Sequence, residues 1–223
     1  MHLLGSTVSP FVQRVLMTVR AKGADLEVHP PLGGKMTSPE FLAISPMGRI
    51  PVLVLDDGGH LCESDAIAGY LDETLPGPAL MPDTALARAR VREIAAITLA
   101  ELAGGLRPLM VHQVFGVPGV PELVAAARSQ LGKGLDALDR LLNHDGPFAT
   151  GATLMAADCA LFPILTLARI VDPLTGAGAM VGERPLVASY AQRMTTDPVA
   201  ARTIEEMTAG FAAMMTRNAA RAG

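Results

Sequence analysis

Gly48-Arg49-Ile50-Pro51-Val52-Leu53-Val54-Leu55-Asp56-Asp57-Gly58-Gly59-His60-Leu61-Cys62-Glu63-Ser64 is the stretch whose reading decides the fold. Pro51 stands just ahead of a β-rich run. A polar turn follows, then a second short apolar run, then Glu63-Ser64 where a helix should begin. Asp57-Gly58 between two apolar runs signals a hairpin, so strands are expected at 52–55 and 60–62. A proline at a strand's start gives up one ladder donor and keeps the residue before it extended. The N–H and C=O of Ile50 must then find another partner. The stretch therefore reads as an edge to which an extended ligand can add.

Working outward, residues 2–5 are apolar and read as a strand. Ser9-Pro10 is a helix start, an N-cap hydroxyl followed by proline at the first helical position. Val12, Val15, Leu16 and Val19 keep helical spacing up to a stop before Gly23. Residues 26–29 alternate as a half-buried strand does. Ser38-Pro39 starts a second short helix, and residues 63–74 form a third with Ile67, Tyr70 and Leu71 on one face. The order β-α-β-α-β-β-α, with a helix joining the first two strands, implies a parallel pair and then an antiparallel hairpin. This is the thioredoxin-like α/β layout, expected over residues 1–76.

Residues 77–84 are read as a linker, within a Pro- and Gly-rich stretch. An all-α domain is expected over 85–223. Its long helices fall at 84–112 and 122–142, with Gly104-Gly105 and Pro108 weakening or kinking the end of the first. Further helices are expected at 156–171, 185–195 and 199–218.

The 223 residues suffice for one large domain or two small ones. No run of eighteen apolar residues is free of charges and breakers, so no membrane span is expected. No secretory leader is visible at Met1-His2-Leu3-Leu4-Gly5. The net charge of −4 without a basic cluster argues against nucleic acid, and the absence of tryptophan removes the best stacking surface for bases. Cys62 and Cys159 sit far apart in apolar runs and read as buried free thiols of a reducing, cytoplasmic compartment. His112 and His144 have no ligand-like partners in the sequence, so no metal site is expected.

Ser9 has two readings. One is a helix cap, worth about 0.5–2 kcal/mol. The other is a hydroxyl that donates to an anion at the positive end of a helix. Lowering a thiol's pKa by about two units takes about 2.7 kcal/mol of extra thiolate stabilisation. One charge-assisted hydrogen bond of about 1.5–3 kcal/mol, plus about 0.3–1 from the helix dipole, supplies it. No G-x-S-x-G elbow surrounds Ser9, which disfavours a hydrolase. Glu63-Ser64 is likewise either a helix start or a pair that takes an ammonium on Glu63 and a carboxylate on Ser64, the two ends of an α-amino acid.

Together, the run Leu4 to Val15, the segment Gly48-Arg49-Ile50-Pro51-Val52-Leu53, and Glu63-Ser64 with Ile67 and Tyr70 resemble the glutathione transferases. The likeness is to the serine-type classes, such as the plant tau class and related bacterial enzymes. The run Gly151 to Pro163 resembles the capping motif of that family's sixth helix. The resemblance implies a thioredoxin-like N-terminal domain followed by a helical C-terminal domain. It also implies glutathione as co-substrate, a small hydrophobic electrophile, no metal, and a homodimer. Ser9 becomes the hydroxyl facing the glutathione sulfur, with Ser6 and Thr7 of the same loop as the alternatives, since some serine-type relatives place that hydroxyl slightly differently, and Pro51 becomes the family's cis-proline. Ile50 becomes the backbone rung for the cysteinyl part, and Glu63 and Ser64 the grip on the γ-glutamyl end. Arg49 and Lys35, the latter one residue out of register, stand near positions that approach the glycine carboxylate. Met110, His112, Phe115, Met207 and Phe211 fall where relatives line the electrophile pocket, although methionine at helical spacing is more often simple core, and Arg14 reads as structural, lying along the first helix. Met155 stands where the family's cap has Ser or Thr, so half of that capping box is missing. The alternatives are a non-catalytic glutathione-binding or scaffold protein, or a glutathione-dependent isomerase or peroxidase of the same fold. The isomerase's usual serine- and cysteine-rich loop is absent here.

Overall fold

The computed structural model describes residues 1–143 and 145–222, so His144 lies outside the described residues. The chain forms two compact units. One comprises Met1–Leu80 with Arg202–Gly223, the other Met81–Ala201.

In the first unit, four strands order as β2-β1-β3-β4: β1 His2–Leu4, β2 Val28–His29, β3 Val52–Val54 and β4 His60–Cys62. β1 pairs parallel to β2 (Leu3 with Val28) and antiparallel to β3 (Leu3 with Leu53). β3 and β4 form the expected hairpin, with Leu53 opposite Leu61. Because strand side chains alternate in direction, the two faces fill with different helices. Leu3 and Leu53 pack with Val12, Val15, Leu16 and Val19 of α1 (Pro10–Ala21) and with Ile67 and Leu71 of α3 (Ser64–Thr74). Leu4 and Val52 pack with Phe41 of the one-turn α2 (Pro39–Leu42). Ser38 caps α2, its Oγ accepting the Phe41 N–H at 3.2 Å.

The structure corrects the edge reading. β3 lies inside the sheet, between β1 and β4. Ile50 is left outside the ladder because it precedes the strand. Cys62 is only half-buried, whereas Cys159 is buried, and neither is in a disulfide.

The second unit is helical. α4 runs Ala85–Val114 and is long and apolar enough to cross a membrane by length and composition alone, a test that a core helix also passes. It packs against α5 (Pro121–Leu141) and α6 (Ala156–Ile170) of the same unit. Gly104-Gly105 does not break the helix. A Cβ on Gly105 would stand 2.7 Å from the Ala127 carbonyl oxygen, so this glycine lets α4 touch α5. Pro108 is absorbed without a break, and the helix winds wider, as π-type turns, at Thr98–Ala103 and Met110–Val114. The short helices α7 (Asp172–Thr175) and α8 (Ala177–Gly182) were not expected. α9 is Pro185–Met194, and α10 is Pro198–Ala222. From Arg202 onward α10 belongs with the sheet unit, although it follows the helical unit in sequence.

α6 starts at Ala156 after Met155. Asp158 supplies the acidic half of the capping box: its Oδ2 accepts the Met155 N–H at 2.9 Å. Its Oδ1 accepts the Ala149 N–H at 2.8 Å and the Tyr190 hydroxyl at 3.0 Å. Both residues are fully buried. Burial pushes the Asp158 carboxyl up to about 6, against the hydrogen bonds from Met155, Ala149 and Tyr190.

Candidate functional site

The loop after β1 leads into α1 through Ser9, whose backbone (φ −74°, ψ 124°) has the extended geometry of an N-cap. Pro10 takes the first helical position, where its missing N–H costs nothing. The Ser9 side chain makes no capping hydrogen bond. The cap reading therefore holds for the backbone and fails for the hydroxyl, which is left half-exposed at the helix N-terminus. The two other hydroxyl residues of the loop contribute backbone: the Ser6 carbonyl accepts the Ser9 N–H at 2.9 Å, and the Thr7 carbonyl accepts from the Gln13 side-chain amide at 2.8 Å.

Ile50-Pro51 is a cis peptide, as expected for Pro51. Ile50 is half-buried, and neither its N–H nor its C=O makes a backbone hydrogen bond among the described residues. The segment ahead of it is held by a residue that sequence reasoning missed. Ser45, 2% exposed, accepts the Arg49 N–H at 3.0 Å and donates to the Arg49 carbonyl at 2.9 Å. A hydroxyl can both donate and accept, so one side chain satisfies both ends of a turn backbone. The only available signal was a serine before Pro46.

Glu63 was placed in the first turn of α3, yet it stands before the helix with φ +67°, the one non-glycine residue with positive φ among the described residues. A side chain in this left-handed region costs about 1–2 kcal/mol. Such strain persists where the surroundings dictate it, commonly at ligand sites. Here it sets an exposed carboxylate beside Ser64, which is buried at the first position of α3. The exposed Arg49 and Lys35 form no ion pair among the described residues.

Arg14 does not lie along its own helix. It is 4% exposed and reaches Asp65 in the first turn of α3, tying the two helix starts together. Met207 is fully buried within the sheet unit, as a core methionine at helical spacing is. Phe115 in the helical unit is exposed, and the His112 ring nitrogen Nδ1 is engaged with the Val117 carbonyl at 2.9 Å. Burial pushes the Cys62 thiol above its ordinary range and Glu63 adds to this, with Ser45 opposing. Its thiol instead donates to the Ile44 carbonyl at 3.2 Å. No cluster of His, Cys, Asp or Glu suited to a metal occurs among the described residues.

The arrangement offers a hydroxyl that makes no capping bond at one helix start, a backbone rung without a backbone partner, and a carboxylate–hydroxyl pair at a second helix start. Comparison with known proteins points the same way. Residues 3–79 match the family model described as glutathione S-transferase, N-terminal domain, and residues 121–193 match glutathione S-transferase, C-terminal domain. The probable maleylacetoacetate isomerase 1 of Drosophila melanogaster is 32% identical over 162 residues, 70% of this chain and 64% of that protein, slightly under two thirds of its length. Glutathione S-transferase 1 of Dianthus caryophyllus is 31% identical over 192 residues, covering 85% of this chain and 84% of the relative. Among solved structures, a tau-class glutathione S-transferase from mango, Mangifera indica, superposes with a TM-score of 0.75 at 27% identity, covering 96% of this chain and 97% of the other.

Proposed function

The chain belongs to the glutathione S-transferase family, and on that premise we propose that it conjugates glutathione to small hydrophobic electrophiles, in the manner of the serine-type classes. The observation that carries this reading is the Ser9 hydroxyl, set at the N-terminus of α1 and unused by the helix it begins. That hydroxyl donates to the glutathione sulfur and favours the thiolate over the thiol. The thiol proton leaves to solvent, the sulfur lone pair forms a bond to the electrophilic carbon, and the leaving group departs with its electron pair. Ile50 supplies the backbone rung, Pro51 fixes its direction, and Glu63 with Ser64 holds the γ-glutamyl end. Arg49 and Lys35 attract the glycine carboxylate. A cytoplasmic homodimer completes the proposal.

A second reading is a glutathione-dependent isomerase, favoured by the likeness to a probable maleylacetoacetate isomerase. Against it stands the loop Ser6-Thr7-Val8-Ser9-Pro10-Phe11, which holds two serines but no cysteine. Thiol–disulfide chemistry is disfavoured because position 9 is serine and the nearest cysteine, Cys62, has its thiol pushed up. The test is turnover of a generic aryl halide and of maleylacetoacetate by the wild type and Ser9→Ala. Conjugation that falls with Ser9→Ala supports the first reading. Isomerisation without conjugation supports the second, and glutathione binding without either turnover supports a non-catalytic role.

A further inference from the structure

The geometry points to Gln13 as a positioning residue for the Ser9 hydroxyl, held in place by Glu206 of α10. The inference rests on the reading of Ser9 given above and adds what fixes that hydroxyl in place.

Gln13 is one turn beyond Ser9 on α1, and its N–H donates to the Ser9 carbonyl at 3.0 Å. Its side chain is fully buried. The Nε2 group has two protons and two acceptors: the Thr7 carbonyl at 2.8 Å and Glu206 Oε2 at 3.0 Å. The first bond grips the middle of the loop that delivers Ser9. The second fixes the amide that does the gripping.

Glu206 is itself immobilised. Its Oε1 accepts from Arg20 at 2.7 Å and Arg202 at 2.9 Å, and Arg202 also pairs with Asp25 at 2.7 Å. Burial would raise the Glu206 carboxyl, but Gln13, Arg20 and Arg202 together hold it below its ordinary value. One turn along α10, Gly210 brings the helix backbone against the same loop. A Cβ there would lie 3.0 Å from the Val8 nitrogen and 3.2 Å from Thr7 Oγ1. All these residues belong to the sheet unit.

The arrangement explains how Ser9 can leave its own cap unmade. A serine that caps its helix is anchored by that bond. Ser9 is anchored from outside, through the Thr7 carbonyl, which leaves its hydroxyl for a ligand. A hydrogen bond to a thiolate depends on distance and angle, so a loop released by a fraction of an ångström loses much of it.

The test measures the pH midpoint at which protein-bound glutathione ionises, read by thiolate ultraviolet absorption, with glutathione Kd and thermal unfolding recorded on the same full-length samples. Gln13→Met keeps the volume and removes both bonds. It is expected to raise the midpoint by about one unit, about tenfold less thiolate at neutral pH, with Kd changed by no more than about twofold. Glu206→Ala is expected to shift the midpoint the same way, and Glu206→Gln, which keeps an acceptor for the Gln13 amide, to restore most of it. Ser9→Ala combined with Gln13→Met should match Ser9→Ala alone. Should Gln13→Met fail to fold, Gly210→Ala decides, because it removes no side-chain bond and crowds the Val8 nitrogen and Thr7 Oγ1 of the loop that Gln13 holds. A wild-type midpoint in Gln13→Met, or in Gly210→Ala when it decides, overturns the inference and leaves Ser9 standing. A wild-type midpoint in Ser9→Ala overturns the reading of Ser9 and the route through Gln13 with it.

Discussion

Ser45 holds Arg49 by both ends of its backbone, accepting the N–H at 3.0 Å and donating to the carbonyl at 2.9 Å. This one buried hydroxyl fixes the turn from which Ile50 and Pro51 emerge. Ser45→Ala leaves two polar groups without their partner, so a loss of about 1–3 kcal/mol of stability is expected. Denaturant unfolding checks it. In steady-state kinetics the proposed role of Ile50, a backbone rung for the co-substrate with no part in the chemistry, predicts a severalfold rise in the KM for glutathione with kcat little changed.

Glu63 carries a conformational strain that glycine would not. Glu63→Gly is expected to gain about 0.5–1 kcal/mol, the left-handed strain relieved less the extra entropy glycine loses on folding. Glutathione affinity should fall about tenfold as the ammonium loses its carboxylate. Glu63→Ala should lose the affinity without gaining stability. Thermal unfolding and isothermal titration of the two variants separate strain from binding.

Asp158 gives the helical unit a pH dependence whose sign follows from burial. Its folded carboxyl titrates near 6 against an ordinary value of 3.8, so the native state binds the proton more tightly than the unfolded chain. The stability this contributes is fully present below about pH 3.8 and is lost as pH rises through about 6. The advantage of the wild type over Asp158→Asn, measured by chemical unfolding from pH 4 to 7, should therefore shrink across that interval and then level off. At neutral pH Asp158→Asn should still be destabilised by about 1–3 kcal/mol, because the amide cannot accept all three hydrogen bonds.

What the sequence showed and what it hid divide along a physical line. The hairpin, the Ser9-Pro10 start and the proline ahead of β3 are local signals, and the structure keeps each of them. The interior place of β3 is a matter of sheet order, which no residue in 48–64 encodes. The partner of Arg14 is 51 residues away and that of Gln13 is 193 away, so both looked like ordinary helix residues. Gly105 read as a breaker because propensity counts backbone freedom and not the close helix contact that a missing Cβ allows. The left-handed Glu63 was hidden because glutamate has no preference for that region.

The central claim is that Ser9 acts on the glutathione sulfur and does not merely begin a helix. The most direct measurement is the pH midpoint for ionisation of bound glutathione in the wild type and Ser9→Ala, with unfolding free energy measured in parallel. The account predicts a rise of about one to two units in the variant, and a stability change within about 0.5 kcal/mol because no cap bond is lost. An unchanged midpoint together with a loss of about 1 kcal/mol or more would contradict it, and would return Ser9 to the role of a helix cap.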